Sequence, residues 1–334
     1  MDGKLIAVFV AFVVIALMID FFAHRKDEKI SLKSAGIWSI FWVLVSVAFG
    51  IYLYYSHNAE MAELFFAGYI LEKSLSVDNL FVIMAIFTWF KIPNEYRHRV
   101  LYFGIIGAIV FRLIFVAIGS ELFALSHWVQ ILFGLVILWT AFMMLKSGDD
   151  DDEKIEDYSN HLAYRLVYRF FSVFPKMVGH NFFINKKTAD EEMSKNKALK
   201  FVYKGSLIAT PLFLCLCVIE FSDVMFAFDS VPAVIAISQE PLIIYSAMIF
   251  AILGLRTLYF LLEALKDYLV YLEKSVIVLL FFIAAKLINN ALHEMYNISI
   301  KISSNTSLYI IAGVLICGVI LSITIGKKAA SKEE

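Results

Sequence analysis

Cysteine is scarce and badly placed for chemistry: Cys215, Cys217 and Cys317 are the only three in 334 residues, and all lie in apolar runs. A Cys-x-Cys spacing points the two thiols to different sides of a helix. No CxxC pair exists, so neither a thiol redox centre nor a thiolate metal site is expected. Histidine gives no alternative: none of the seven falls within the interior of an apolar span, and His24, His57, His98, His127 and His293 sit near span ends. A Gly-rich phosphate loop is absent, which excludes ATP-driven work by this chain, and no enzymatic activity is expected. The formal net charge of −1 provides no basic face for nucleic acid. What the chain has in abundance is oil. Hydrophobic residues make up 61%, and the mean hydropathy is +0.78, well beyond the balance of soluble domains.

Apolar runs of about 20 residues, the length that crosses a bilayer, recur along most of the sequence. They predict an all-α polytopic membrane protein with about nine transmembrane helices, near residues 4–22, 36–55, 62–90, 100–120, 127–146, 202–238, 242–262, 275–291 and 307–326. The first run lacks a basic leader and a small-residue cleavage site, so it is read as a retained helix. Basic residues alternate between connections. Arg25, Lys26, Lys29 and Lys33, then Lys91, Arg97 and Arg99, the stretch from Lys146 to Lys204, Lys266 and Lys274, and the tail with Lys327, Lys328 and Lys332 all share one side. The other connections are free of Lys and Arg except for Lys301 in the last. The positive-inside rule then places the N-terminus outside and the C-terminus in the cytoplasm of a cytoplasmic (inner) membrane.

Carboxylates interrupt the oil in two similar places, EKSLSVDN from Glu72 to Asn79 and DVMFAFDS from Asp223 to Ser230. Each is an acid, five residues, an Asp, and a small polar residue; Glu220 adds an acid one turn before the second copy. A central Asp costs about 2.5 to 3.5 kcal/mol on an insertion scale, so intramembrane acids mark function unless compensated. Spans 62–90 and 202–238 exceed one crossing, and the latter holds Pro211 and Pro232. Broken helices carrying the acidic motifs are therefore expected, since six residues of unbroken helix would turn the two acids of a motif away from each other. Arg112 follows the first motif by one span and Arg256 the second, and a third span follows each. Three spans per copy predict an inverted repeat, 62–146 against 202–291, with 147–201 as a cytoplasmic loop between them.

Glu72, Asp78, Asn79, Glu220, Asp223 and Asp229, with Ser76, Ser222, Ser230 and main-chain carbonyls, form an all-oxygen set. Such a set suits a hard divalent cation, Mn²⁺, Mg²⁺ or Ca²⁺. Lys73, Arg112, Arg256 and Lys286 are read as buried struts paired with these acids. The segments EKSLSVDNLFV, YRHRVLYFGIIGAIVFR, TPLFLCLCVIEFSDVMFAFDSVPAVIAIS and FAILGLRTLYFLL resemble the TerC family of integral membrane proteins, and within it the Alx-like branch, over about residues 36 to 325. The resemblance implies manganese export, an association with tellurium resistance, and metal-binding roles for the five motif acids. Mn²⁺ would be transported substrate, with no tightly bound cofactor.

Between the repeats, Asp149 to Glu153 reads as a solvated acidic linker, and HLAYRLVYRFFSVF at 161–174 as an amphipathic helix on the inner leaflet or packed under the bundle. The partners implied are the divalent ion and the lipid bilayer. The rival reading is a non-transporting membrane partner whose acids hold a structural cation and which assists a translocon or the metalation of exported enzymes.

Overall fold

The computed structural model describes residues 3–23, 31–147, 161–195, 201, 207–265, 270–296, 302 and 304–330. Helices α1 (Gly3–Ala23), α2 (Leu32–Ser56), α3 (Ala59–Trp89), α4 (Asn94–Leu125) and α5 (His127–Ser147) come first. A small module follows, with α6 (Leu162–Phe170), β1 (Ser172–Val173), β2 (Phe183–Asn185), α7 (Lys186–Lys195) and β3 (Leu207–Ala209). Helices α8 (Pro211–Ile235), α9 (Pro241–Ile252), α10 (Leu255–Leu265), α11 (Val270–Tyr296) and α12 (Ser304–Ala330) complete the chain. The protein is an all-α polytopic membrane protein. Among the described residues five helices, α2, α4, α5, α8 and α11, are individually long and apolar enough to cross a membrane, and the bent pair α9–α10 makes a sixth. Helices α1, α3 and α12 occupy the other three expected spans.

Local chemistry explains where the helices begin. The Asn58 side chain accepts from the Met61 amide at 2.8 Å to cap α3, and Ser31 does the same for α2 from Ser34 at 3.3 Å. Pro211 and Pro241 open α8 and α9, where a missing N–H costs nothing.

The expected breaks lie elsewhere. Helix α3 is continuous through Glu72 and Asp78, and α8 is continuous through Glu220, Asp223 and Asp229. The surplus length of 202–238 has another cause: residues 207–209 form β3, so the helix starts only at Pro211. In α3 the surplus remains helical, 31 residues long. The break falls instead in the span carrying Arg256, where α9 and α10 meet at 50°. Gly254 makes this possible with φ +78°, and the Trp42 ring packs where a Cβ would sit.

Packing relates the two copies. Helix α3 lies on α9 and α8 on α4, the two being the same pairing with copies exchanged, while α5 and α11 pack on each other and α3 meets α8. One core fills this centre with Leu71, Leu75, Val116, Ala227, Val231 and Leu280, and a second stacks Phe49 on Phe250 at 4.7 Å beneath α1 and α2.

The inter-repeat module holds a three-stranded sheet, unforeseen from sequence, in the order β1–β3–β2 with β1 parallel and β2 antiparallel to β3. Helix α6 packs on α8, as one of the two readings of its segment expects. Ala163 and Val167 are buried on the α8 side, whereas Leu162, Leu166 and Phe170 are exposed. The acidic run at 149–153 lies outside the described residues.

Candidate cation site

Because α3 packs on α8 and α8 on α4, the first copy's Glu72 and the second copy's Asp223 come to one place. Arg112 of α4 joins them. Its guanidinium pairs with Glu72 Oε1 through Nη1 and with Asp223 Oδ1 through Nη2 at 3.1 Å. Glu72 is completely buried and Arg112 is 1% exposed, while the Asp223 side chain retains 16%. One turn along α3 the Ser76 hydroxyl donates to Glu72 Oε1 at 3.3 Å.

Other oxygens of these acids and of α8 are not satisfied. Glu72 Oε2, Glu220 Oε2, Asp223 Oδ2 and Ser230 Oγ are buried and have no hydrogen-bond partner. Each such group costs about 1 to 3 kcal/mol, more when charged, so four together need a purpose. Glu220 lies one turn from Asp223 on α8, with its carboxylate against α4 at Gly107; a Cβ there would overlap the carboxylate. Sequence reading passed over Gly107, since a glycine in GIIGAIVFR looks like ordinary helix packing.

The other predicted ligands divide. Asn79 is buried on α3. Asp78 and Asp229 sit within α3 and α8, but their side chains lie outside the described residues. Ser222 turns back to donate to Val218 O at 2.9 Å. Among the described residues no three of His, Cys, Asp and Glu converge on a point that would hold a metal. Arg112 is what Glu72 and Asp223 meet around.

Among the described residues only one of the predicted struts, Arg112, joins the motif acids. Arg256 bonds Asp20 of α1, at 2.7 Å to Oδ1 and 2.8 Å to the main-chain oxygen. The partner is outside both repeats, so repeat symmetry misassigns it; a lone acid near the end of an apolar span was the signal available. Lys73 turns away from Glu72 and donates to Ala251 O at 3.0 Å and Leu253 O at 3.2 Å. It caps the carbonyls exposed where α9 stops, as a cation at a helix C-terminus should. Lys286 is buried on α11, and among the described residues it pairs with no motif acid. Cys215 is buried, Cys217 half-buried and Cys317 exposed on α12, and all three are free thiols.

Comparison with known proteins places this arrangement in context. The model of the integral membrane protein TerC family matches residues 56–333. The chain belongs to the TerC family. It is 60% identical over 333 residues to the tellurium resistance protein TerC of Serratia marcescens, covering 98% of this chain and 96% of that one. A tellurium resistance protein TerC of an Alcaligenes species is 59% identical, covering 99% and 97%. Alx of Photorhabdus laumondii, whose name proposes a membrane-bound redox modulator, is 32% identical and covers 98% and 96%. No solved structure matches. In TerC terms, the match takes in both motifs, Arg112 and Gly107, and leaves α1 with Asp20 before its start.

Proposed function

We propose that this TerC-family chain is a secondary transporter that exports a hard divalent cation, Mn²⁺ foremost, from the cytoplasm through Glu72, Glu220, Asp223 and their neighbours. The observation that carries the reading is the pair of buried, unpartnered oxygens, Glu72 Oε2 and Asp223 Oδ2, on the two carboxylates that Arg112 bridges. Both are carboxylate oxygens, and Glu220 Oε2 and Ser230 Oγ on α8 add further buried, unpartnered oxygens, the donor type that hard cations select. Two carboxylates against one guanidinium leave the locality negative, so an oxyanion of tellurium is repelled and the names of the Serratia and Alcaligenes proteins are best met indirectly, through metal balance. The exchange of packing partners between copies supports an inverted repeat with the site at its interface. Basic connections on alternate sides support an inner-membrane protein with the N-terminus outside.

Cellular metal content tests this. In a manganese-efflux-deficient bacterium loaded with Mn²⁺, Mg²⁺, Ca²⁺, Co²⁺ or Zn²⁺, expression should lower cell-associated manganese several-fold and raise tolerance to it. Unchanged content for the whole panel contradicts export.

Gly107 provides a finer probe. Gly107→Ala forces only the far end of the flexible Glu220 side chain to move, so folded protein should accumulate normally. The displaced ligand should still lower manganese tolerance by about tenfold, the scale on which misplaced metal-site groups act. Protein blots of the membrane fraction beside growth curves read both; full tolerance would remove Glu220 from the site.

A further inference from the structure

We propose that Arg112 is a tethered competitor for the transported cation: the ion enters by displacing its guanidinium from Glu72 and Asp223, and the guanidinium's return expels the ion and offsets half of the carboxylates' charge so that the carrier can reorient without cargo. The inference rests on the cation-export reading and adds the step that turns binding into net transport.

Position comes first. One side chain holds an acid from each copy, Glu72 on α3 and Asp223 on α8, and takes a single oxygen from each. These acids are the only described carboxylates from opposite copies brought to a common partner, so a cation bound between the copies needs the same two carboxylates. A divalent ion and a guanidinium repel strongly at such range in a buried setting. They exclude each other.

Charge arithmetic gives the exchange its sense. Glu72 and Asp223 carry −2 together, and Arg112 leaves −1; a divalent ion in its place leaves 0. Either occupant makes the buried pair tolerable to move, whereas bare carboxylates are costly in a low-dielectric interior. The ion therefore leaves without stranding two charges.

Arg112 differs from a strut in what it is held by, a carboxylate from each copy. The contrast with the other buried bases is direct. Arg256 is fixed to both a carboxylate and a main-chain oxygen of α1, and Lys73 to two carbonyls at the end of α9. Of these three, Arg112 alone lies on acids of both copies, although Arg112 and Arg256 occupy matching places in the repeat.

The test uses purified full-length protein, in detergent for equilibrium Mn²⁺ binding and in proteoliposomes for two fluxes: net Mn²⁺ movement into a manganese-free compartment, and exchange of labelled for unlabelled Mn²⁺. R112Q should bind Mn²⁺ at least tenfold more tightly than wild type, keep exchange, and lose net movement at least tenfold. R112K, which keeps the charge but cannot fork between two carboxylates, should bind more tightly than wild type by a smaller factor, and it decides the matter if R112Q does not yield folded protein. Equal or weaker binding by the folded variants, with normal binding by wild type, overturns the competitor role and leaves the export reading standing. Wild-type protein that binds no Mn²⁺ overturns the export reading and the competitor with it.

Discussion

Asp223→Asn is expected to abolish the manganese protection conferred on an efflux-deficient cell while the protein still accumulates in the membrane. The amide preserves size and can still accept from Arg112 Nη2, which lies 3.1 Å from Oδ1 in the parent. It removes one of the carboxylates that must replace the water shell of a divalent ion. Glu72→Gln should behave alike, because its unpartnered Oε2 is the first copy's described contribution to the ion. Tolerated manganese should fall to the level of cells lacking the protein, and cell-associated manganese should rise to match. Normal tolerance in both variants at normal protein levels would remove the carboxylates from transport.

A second large effect belongs to stability. Asp20→Ala and Arg256→Ala should each sharply lower the amount of folded protein, since either leaves a buried charge unpaired, at a cost of about 3 to 5 kcal/mol. Asp20 and Arg256 are both buried and joined at 2.7 Å. The double variant Asp20→Leu with Arg256→Met removes both charges and should recover most of the loss, because a buried ion pair replaced by apolar side chains is often neutral. Thermal unfolding in detergent and recovery from membranes both read this. Equal damage from the double and the single variants would mean that the pair does not act as a unit.

The membrane fold and the identity of the motif acids were legible in the chain because both depend on local signals. Twenty apolar residues are a span wherever they occur, and Glu72 or Asp223 in such a run is conspicuous without any neighbour. What could not be read depends on where surplus residues go and on which distant groups meet. Excess length at 202–238 suggested a broken helix, but length alone does not distinguish a break from a strand ahead of Pro211. The true break required Gly254, whose neighbours in AILGLR look like any apolar helix, and whose need for φ +78° beneath Trp42 is tertiary. Repeat symmetry correctly drew attention to both arginines. It could not tell that Arg112 would bridge the copies while Arg256 leaves them for Asp20, because α1 has no counterpart in the repeat. Lys73 beside Glu72 read as an ion-pair strut, and only the position of the α9 carbonyls shows that it caps a helix instead.

Flux measured on the purified chain is the most direct test of cation transport through the buried acids. Proteoliposomes holding a manganese-sensitive dye and wild-type protein should report Mn²⁺ entry when the ion is added outside, and those holding an equal amount of folded Asp223→Asn protein should report none above empty vesicles. Absence of Mn²⁺ entry with wild type, or equal entry with Asp223→Asn, would contradict transport through this site.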